Sequence, residues 1–208
     1  MSRKKRVSHK LVHGVGHNDH TYMAKQEDGT YAKSYRLWVK MLARCYSQKI
    51  HKDFPSYIAC EVSENFKSYT FFKEWCDKQV GYNELDDCGG AFQLDKDLLV
   101  KGNKVYSEDT CCFVPKRVNN LLIKTEARRG EHPIGVHVAK GGKKFITHIG
   151  LENSKRLYLG SFTTAQEAFQ TYKIEKEMII KAVAEQWKGR VDDRVYQTLI
   201  NYQVEITD

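Results

Sequence analysis

The stretch YLGSFTTAQEAFQTY, residues 158–172, changes its apolar period in the middle. Tyr158–Phe162 has the aromatic and apolar content of a strand, interrupted by Gly160. From Ala165 onward, Ala165, Ala168, Phe169, Tyr172 and then Ile174 begin a helix, the first four at the three- and four-residue steps of one face. Between them Thr164-Ala-Gln-Glu167 forms a capping-box pattern, in which a hydroxyl and a carboxylate each take a backbone N–H left unpaired by the first helical turn. A strand that runs straight into a capped helix predicts a helix lying on its own sheet. Upstream, IGVHVAK (134–140) and KKFITHIG (143–150) read as short strands split by Gly141-Gly142, and KRLYLGSF (155–162) reads as the third. Alternation turns Val136, Val138 and Ile149 toward the helix and His137 and His148 toward the open face. Downstream the helix continues to about Trp187, and DDRVYQTLINYQ (192–203) predicts a last helix.

The whole chain has 208 residues, enough for one large domain or two small ones. Hydrophobic residues at 41% and charged residues at 29% fit a soluble globular protein, and three prolines leave little room for a long disordered linker. No stretch approaches a membrane span, and the basic start MSRKKRVSHK has no apolar segment behind it. An intracellular protein without a membrane partner is expected. Cys45, Cys60, Cys76, Cys88, Cys111 and Cys112 include no CxxC pair, which argues against a zinc ribbon and for free, mostly buried thiols. The net charge of +8 is concentrated: residues 1–50 hold eleven Lys/Arg against three acids, and KTEARRGEHP with KGGKK forms a second basic stretch. Such charge favours a phosphate-rich partner, through neutralisation and counterion release.

Residues 1–33 read as a basic, Gly/His-rich arm without periodicity. Its His17-Asn18-Asp19-His20 has the residue types of a metal site but no scaffold around it, so exposed histidines are expected. SYRLWVKMLARCYSQ (34–48) is an amphipathic helix, with Tyr35, Leu37, Trp38, Met41, Leu42, Cys45 and Tyr46 on the core side and Lys40, Arg44 and Lys49 on others. EVSENFKSYTFFKEWCDKQ (61–79) predicts a second helix from Ser63 or Glu64, whose broad aromatic face of Phe66, Tyr69, Phe71, Phe72, Trp75 and Cys76 reads as core. After the polar loop GYNELDDCGG, AFQLDKDLLV (91–100) and TCCFVP (110–115) read as two strands joined through a turn at Gly102-Asn103. RVNNLLIK (117–124) starts a further helix, and a domain boundary is placed near 126–133.

From Gly135 to about Tyr172, and most specifically in YLGSFTTAQEAFQTY, the chain resembles the AP2 DNA-binding domain of plant transcription factors and of many phage and intron-encoded nucleases. The resemblance implies a three-stranded antiparallel sheet backed by one helix, with the free face in the DNA major groove. At the family's DNA-facing positions stand His137, His148, Arg156 and Tyr158. The family's several sheet arginines and its tryptophan are largely replaced by His, Ala and Tyr. Bidentate guanine readout is therefore mostly lost, while Lys140, Lys143, Lys144 and Lys155, with Arg128 and Arg129 upstream, can still hold phosphates. An open face that binds protein instead remains an alternative.

Trp38–Leu122 resembles phage proteins labelled HNH endonucleases, in which an HNH-like region precedes an AP2 module. The resemblance is carried by YRLWVKMLARCY, by Phe66, Phe72 and Trp75, by LDKDLLVKGNKVYS (94–107) and by CCFVPKRVNNLL. It implies a hairpin and helix holding one Mg²⁺ or Mn²⁺ under the scissile phosphate, a histidine base, an adjacent Asp or His ligand and a later Asn or His. Asp95 stands at the ligand position, Lys96 in the slot of the base and Asn103 at the middle Asn, with Cys111 or Cys112 near the final ligand. Strand alternation would put Asp95 and Asp97 on one face and Lys96 on the other. A lysine beside two acids is a poor base unless strongly desolvated.

Three readings stay open. Asp95 and Asp97 hold the metal and a histidine of the arm supplies the base; or the scaffold persists without catalysis; or the hairpin is structural. The expected architecture is α+β: an arm over 1–33, an HNH-like helix and hairpin domain over 34–126, and an AP2-like sheet and helix with a helical extension over 133–208. The expected function is a homing-type endonuclease on double-stranded DNA, with Asp95, Asp97 and Asn103 at its metal. The alternatives are an inactive DNA-binding or regulatory protein and a phage factor binding host protein machinery; in every case the expected location is the cytoplasm, that of the host cell if the chain is phage-encoded.

Overall fold

The apolar spacing of residues 33–46 produces helix α1 (Lys33–Tyr46), which buries Trp38, Met41, Leu42 and Cys45. The computed structural model describes residues 10–122, 132–150 and 156–206. It is mixed helix and sheet and divides into two compact units, Met1–Lys116 and Arg117–Asp208. The boundary expected near 126–133 lies mostly outside the described residues, as do Arg128, Arg129 and Lys155. Among the described residues no helix is long and apolar enough to cross a membrane.

In the first unit, α1 is followed by the short α2 (Gln48–Asp53) and packs on α3 (Tyr69–Lys78). The Trp38 indole N–H donates to the Phe66 carbonyl at 2.8 Å, and Phe66 meets Phe72 and Trp75 with ring centroids 5.1 and 4.8 Å apart. Phe66, Tyr69, Phe72, Trp75 and Cys76 are core, whereas Phe71, expected with them, is 37% exposed because it falls on the outer side of the helix. The helix begins at Tyr69, not at Ser63 or Glu64, because Ser68 is the cap, its hydroxyl accepting the Phe71 N–H at 3.3 Å. Ser63 opens only the 3₁₀ turn Asn65–Lys67, its hydroxyl accepting the Phe66 N–H at 3.3 Å. Its amide donates to the Tyr106 carbonyl at 2.9 Å and its hydroxyl to Glu108 at 3.0 Å. That amide continues a parallel pair, β1 (Glu61–Val62) with β3 (Val105–Tyr106).

Residues 10–32 do not form a free arm. The His17 N–H donates to the Lys67 carbonyl and the Tyr69 N–H to the His17 carbonyl, both at 3.0 Å. Gly16 is buried against α1 so closely that a Cβ there would lie 2.3 Å from Leu42 Cδ1. The expected hairpin is present but short: β2 (Gln93–Asp95) runs antiparallel to β4 (Cys112–Val114), with Leu94 opposite Phe113 and Asp95 opposite Cys112. Helix α4 (Lys116–Leu121) follows.

In the second unit, β5 (Val136–Val138), β6 (Phe145–Gly150) and β7 (Arg156–Phe162) form an antiparallel sheet in that order. Helix α5 (Ala165–Trp187) opens with both halves of the Thr164–Glu167 capping box in place. Its first half buries Ala168, Phe169 and Tyr172 on the sheet, and its second half buries Ile180, Val183, Ala184 and Trp187, packing with α6 (Asp193–Ile200). The C-terminal segment is tied back onto α5: Lys173 donates to the Val204 carbonyl at 2.7 Å, and the Val204 N–H donates to Glu177 at 2.8 Å. Val138, assigned to the helix side by alternation, is 45% exposed, since only Val136 of its short strand is buried.

Gly135 (φ +76°) lies on the Tyr172 ring, where an added Cβ would come within 2.1 Å of Cδ2, whereas Gly142 (φ +75°) faces open space. Both alanine variants carry the left-handed penalty of about 1–2 kcal/mol. Gly135→Ala adds an overpacking cost of about 1–3 kcal/mol, so thermal unfolding should show a clearly larger fall for Gly135→Ala than for Gly142→Ala.

Candidate nucleic-acid interface

Register assigns each side chain of the three-stranded sheet to a face. Thr147 and Ile149 are buried beneath the helix with Val136, and the Thr147 hydroxyl donates to the Gly135 carbonyl at 2.7 Å. The opposite face carries His137 across from Ile146, Ile146 across from Ser161, His148 across from Tyr158 and Gly150 across from Arg156. The register shifts between Thr147 and His148, leaving Leu159 as the extra residue of a bulge, which strengthens the local twist. On that face the His148 ring lies 5.2 Å from Tyr158 and 6.5 Å from His137. Burial holds His137 below the ordinary imidazole value, with the charges of His148, Arg156 and His132 acting in the same direction. The sites read from the sequence, His137, His148, Arg156 and Tyr158, are thus brought together. Ile146 and Ser161 on the same face were missed, because only strand register identifies them.

Lys143 and Lys144 stand exposed, with Lys140, on the β5–β6 turn, which is closed by the Ala139 N–H to the Lys144 carbonyl at 2.8 Å. Charge is segregated along this unit. Residues 132–162 hold five Lys/Arg (Lys140, Lys143, Lys144, Lys155, Arg156) against Glu152 alone, whereas residues 163–206 hold six against seven acids. The sheet portion is basic and the helical portion is balanced.

The LDKD segment of the first unit is built differently from the strand that alternation predicts. Strand β2 ends at Asp95, and the Asp95 Oδ1 accepts the N–H groups of Asp97 at 3.0 Å and Leu98 at 2.8 Å, turning the chain. Asp97 is therefore exposed and does not continue a strand face. Lys96 is only 7% exposed, its ammonium 3.1 Å from Asp97 Oδ2 and 5.7 Å from the centre of the Tyr106 ring. As the cationic half of that pair it has no lone pair with which to take a proton. Asn103 is used up by the loop: its amide nitrogen donates to the carbonyls of Lys96 at 2.6 Å and Val105 at 2.7 Å, and its oxygen accepts the Val105 N–H at 3.2 Å.

A Mg²⁺ or Mn²⁺ ion needs free, charged oxygens that converge. Here Asp95 Oδ1, Asp97 Oδ2 and Asn103 Oδ1 already have partners, and the ion nearest Asp97 is an ammonium. Burial raises the Asp95 carboxyl above its ordinary value, with Asp97 adding to the effect. Cys111 and Cys112 are fully buried, and burial pushes the Cys111 thiol up, away from the thiolate a metal requires. Among the described residues no three His, Cys, Asp or Glu side chains form a group that could hold a metal. In the His17–His20 string, Asn18 and Asp19 cap local turns, and Asp19 is held at about 2, chiefly by the Thr70 hydroxyl and the Thr21 amide. The donor set does not fit a resident divalent ion.

Family models, curated proteins and solved structures yield no match to this chain.

Asp95 acts as a cap, and its charge opposes folding. Its folded value exceeds the ordinary 3.8, so in the window between them the folded state binds more proton, and stability falls as pH rises through it. Asp95→Asn keeps the accepting oxygen and removes the charge. Thermal unfolding from pH 4 to 8 should show its melting temperature held or raised at pH 7, with the slope flattened. Asn103→Ala, which removes the partner of the Lys96 carbonyl and of the Val105 N–H while the Val105 carbonyl keeps the Thr110 hydroxyl, should cost about 1–3 kcal/mol.

Proposed function

We propose that this protein binds double-stranded DNA, with the uncovered face of its three-stranded sheet in the major groove and Lys140, Lys143, Lys144 and Arg156 on phosphates. The second unit is read as an AP2-like module, and the first as an HNH-like scaffold that holds DNA without hydrolysing it. The observation that carries the reading is the coincidence of the uncovered sheet face with the basic portion of the unit. Three strands about 4.8 Å apart span roughly 10 Å, which suits a major groove about 12 Å wide. The face offers two imidazoles, a tyrosine and one guanidinium, so base discrimination is weak and phosphate contacts supply most of the affinity.

Four cations on phosphates contribute about −3.6 to the slope of log K against log salt, at about −0.9 per contact. In a fluorescence-anisotropy titration of a short duplex, Lys143→Ala/Lys144→Ala should reduce the magnitude of the slope by about two, equally for unrelated sequences. Binding that ignores salt would contradict the proposal and point to recognition of a protein partner instead.

A further inference from the structure

Helix α1 contains four charged residues, Lys33, Arg36, Lys40 and Arg44, and no acid. Lys33 is committed, donating to the Tyr82 carbonyl with its ammonium 4.6 Å from the Tyr82 ring, and burial lowers its pKa. The other three follow one another at four-residue steps, which places them in a single stripe rising about 6 Å per step. Arg36 and Lys40 are exposed. Among the described residues none of the three forms an ion pair. Other lysines of this chain are paired along the sequence, Lys67 with Glu64, Lys73 with Asp77 and Lys173 with Glu177. Like charges one turn apart repel and weaken a helix, and among the described residues no carboxylate offsets that repulsion for this stripe.

Arg44 differs from the other two in being held. Its guanidinium carbon lies 5.5 Å from the centre of the Tyr57 ring, and Nη1 donates to the Tyr106 hydroxyl at 3.4 Å. Among the described residues its remaining fork donors have no partner. A half-buried guanidinium without a carboxylate has lost hydration that an anion would more than restore, and the planar fork matches two phosphate oxygens. We propose that Arg36, Lys40 and Arg44 form a second phosphodiester-binding surface, on the first unit, with Arg44 as its fixed anchor and Tyr57 and Tyr106 as positioning residues. The identity of the ligand rests on the DNA-binding reading; the site itself rests on α1.

The test uses the full chain in two arms. In the first, inorganic phosphate is titrated while the Arg44 Nε–Hε resonance is followed by NMR, and a saturable shift is expected. In the second, the salt slope for a duplex is compared between the wild type and Arg36→Gln/Lys40→Gln/Arg44→Gln, which should lose about three from its magnitude, at about 0.9 per contact. Should the triple variant unfold, Arg36→Gln/Lys40→Gln leaves the anchored residue in place and should lose about two. A folded variant with the wild-type slope overturns the proposal while leaving DNA binding by the sheet intact. If the wild type binds no duplex, the DNA reading fails and the phosphate arm decides: a saturable shift upholds a phosphate site, and an unmoved resonance overturns it.

Discussion

A three-stranded sheet has two faces, and in the second unit a single helix segment covers only one of them. That constraint organises the rest of the unit. The first half of α5 buries Ala168, Phe169 and Tyr172 against Val136, Thr147 and Ile149, while its second half is committed to α6. No other described element packs on the far face to a comparable degree. Hydrophobic side chains there would expose an apolar sheet to water. The chain instead places His137, His148, Tyr158 and Arg156 on that face and lysines on the adjoining turn. The uncovered face is consequently open and polar, and its charge is what the proposal of a phosphate-rich partner rests on.

The LDKD hairpin shows how close a structural loop comes to the composition of an active site. Two carboxylates, an amide and a buried lysine lie within ten residues, yet hydrogen bonds to the backbone explain most of them. Asp95 ends a strand and Asn103 closes the loop that carries the chain to its parallel pairing with β1. Removing an amide that makes three such bonds costs stability whether or not chemistry ever took place there. The buried ammonium of Lys96, held by Asp97 and facing Tyr106, adds positive charge where hydrolysis would want a base.

Much of the fold was legible where the signal is local. The change of period at 158–172, the Thr164–Glu167 capping box and the spacing of Trp38, Met41, Leu42 and Cys45 each fix an element within one or two turns. What stayed hidden depends on distant partners. The β1–β3 pair joins two-residue strands far apart in the chain, too short for any alternation to register. Gly16 looked like part of a flexible arm because its role is the space it leaves for Leu42 and Trp38. Ser63, read as a helix start, accepts the Phe66 N–H of a single 3₁₀ turn only, and the α-helix begins after Ser68, a difference no local pattern reveals. On the candidate interface, alternation placed the histidines, but the bulge at Thr147/His148 and the facing pair Ile146–Ser161 required the register itself.

The central claim is that this protein holds duplex DNA without cutting it. The most direct measurement incubates the purified full-length chain with supercoiled plasmid in Mg²⁺, Mn²⁺ or EDTA, followed by native and denaturing electrophoresis. The account predicts a plasmid that is retarded in every condition and covalently intact once the protein is stripped away. Metal-dependent nicking or linearisation that disappears in Asp95→Ala/Asp97→Ala would contradict it and make the LDKD loop an active site.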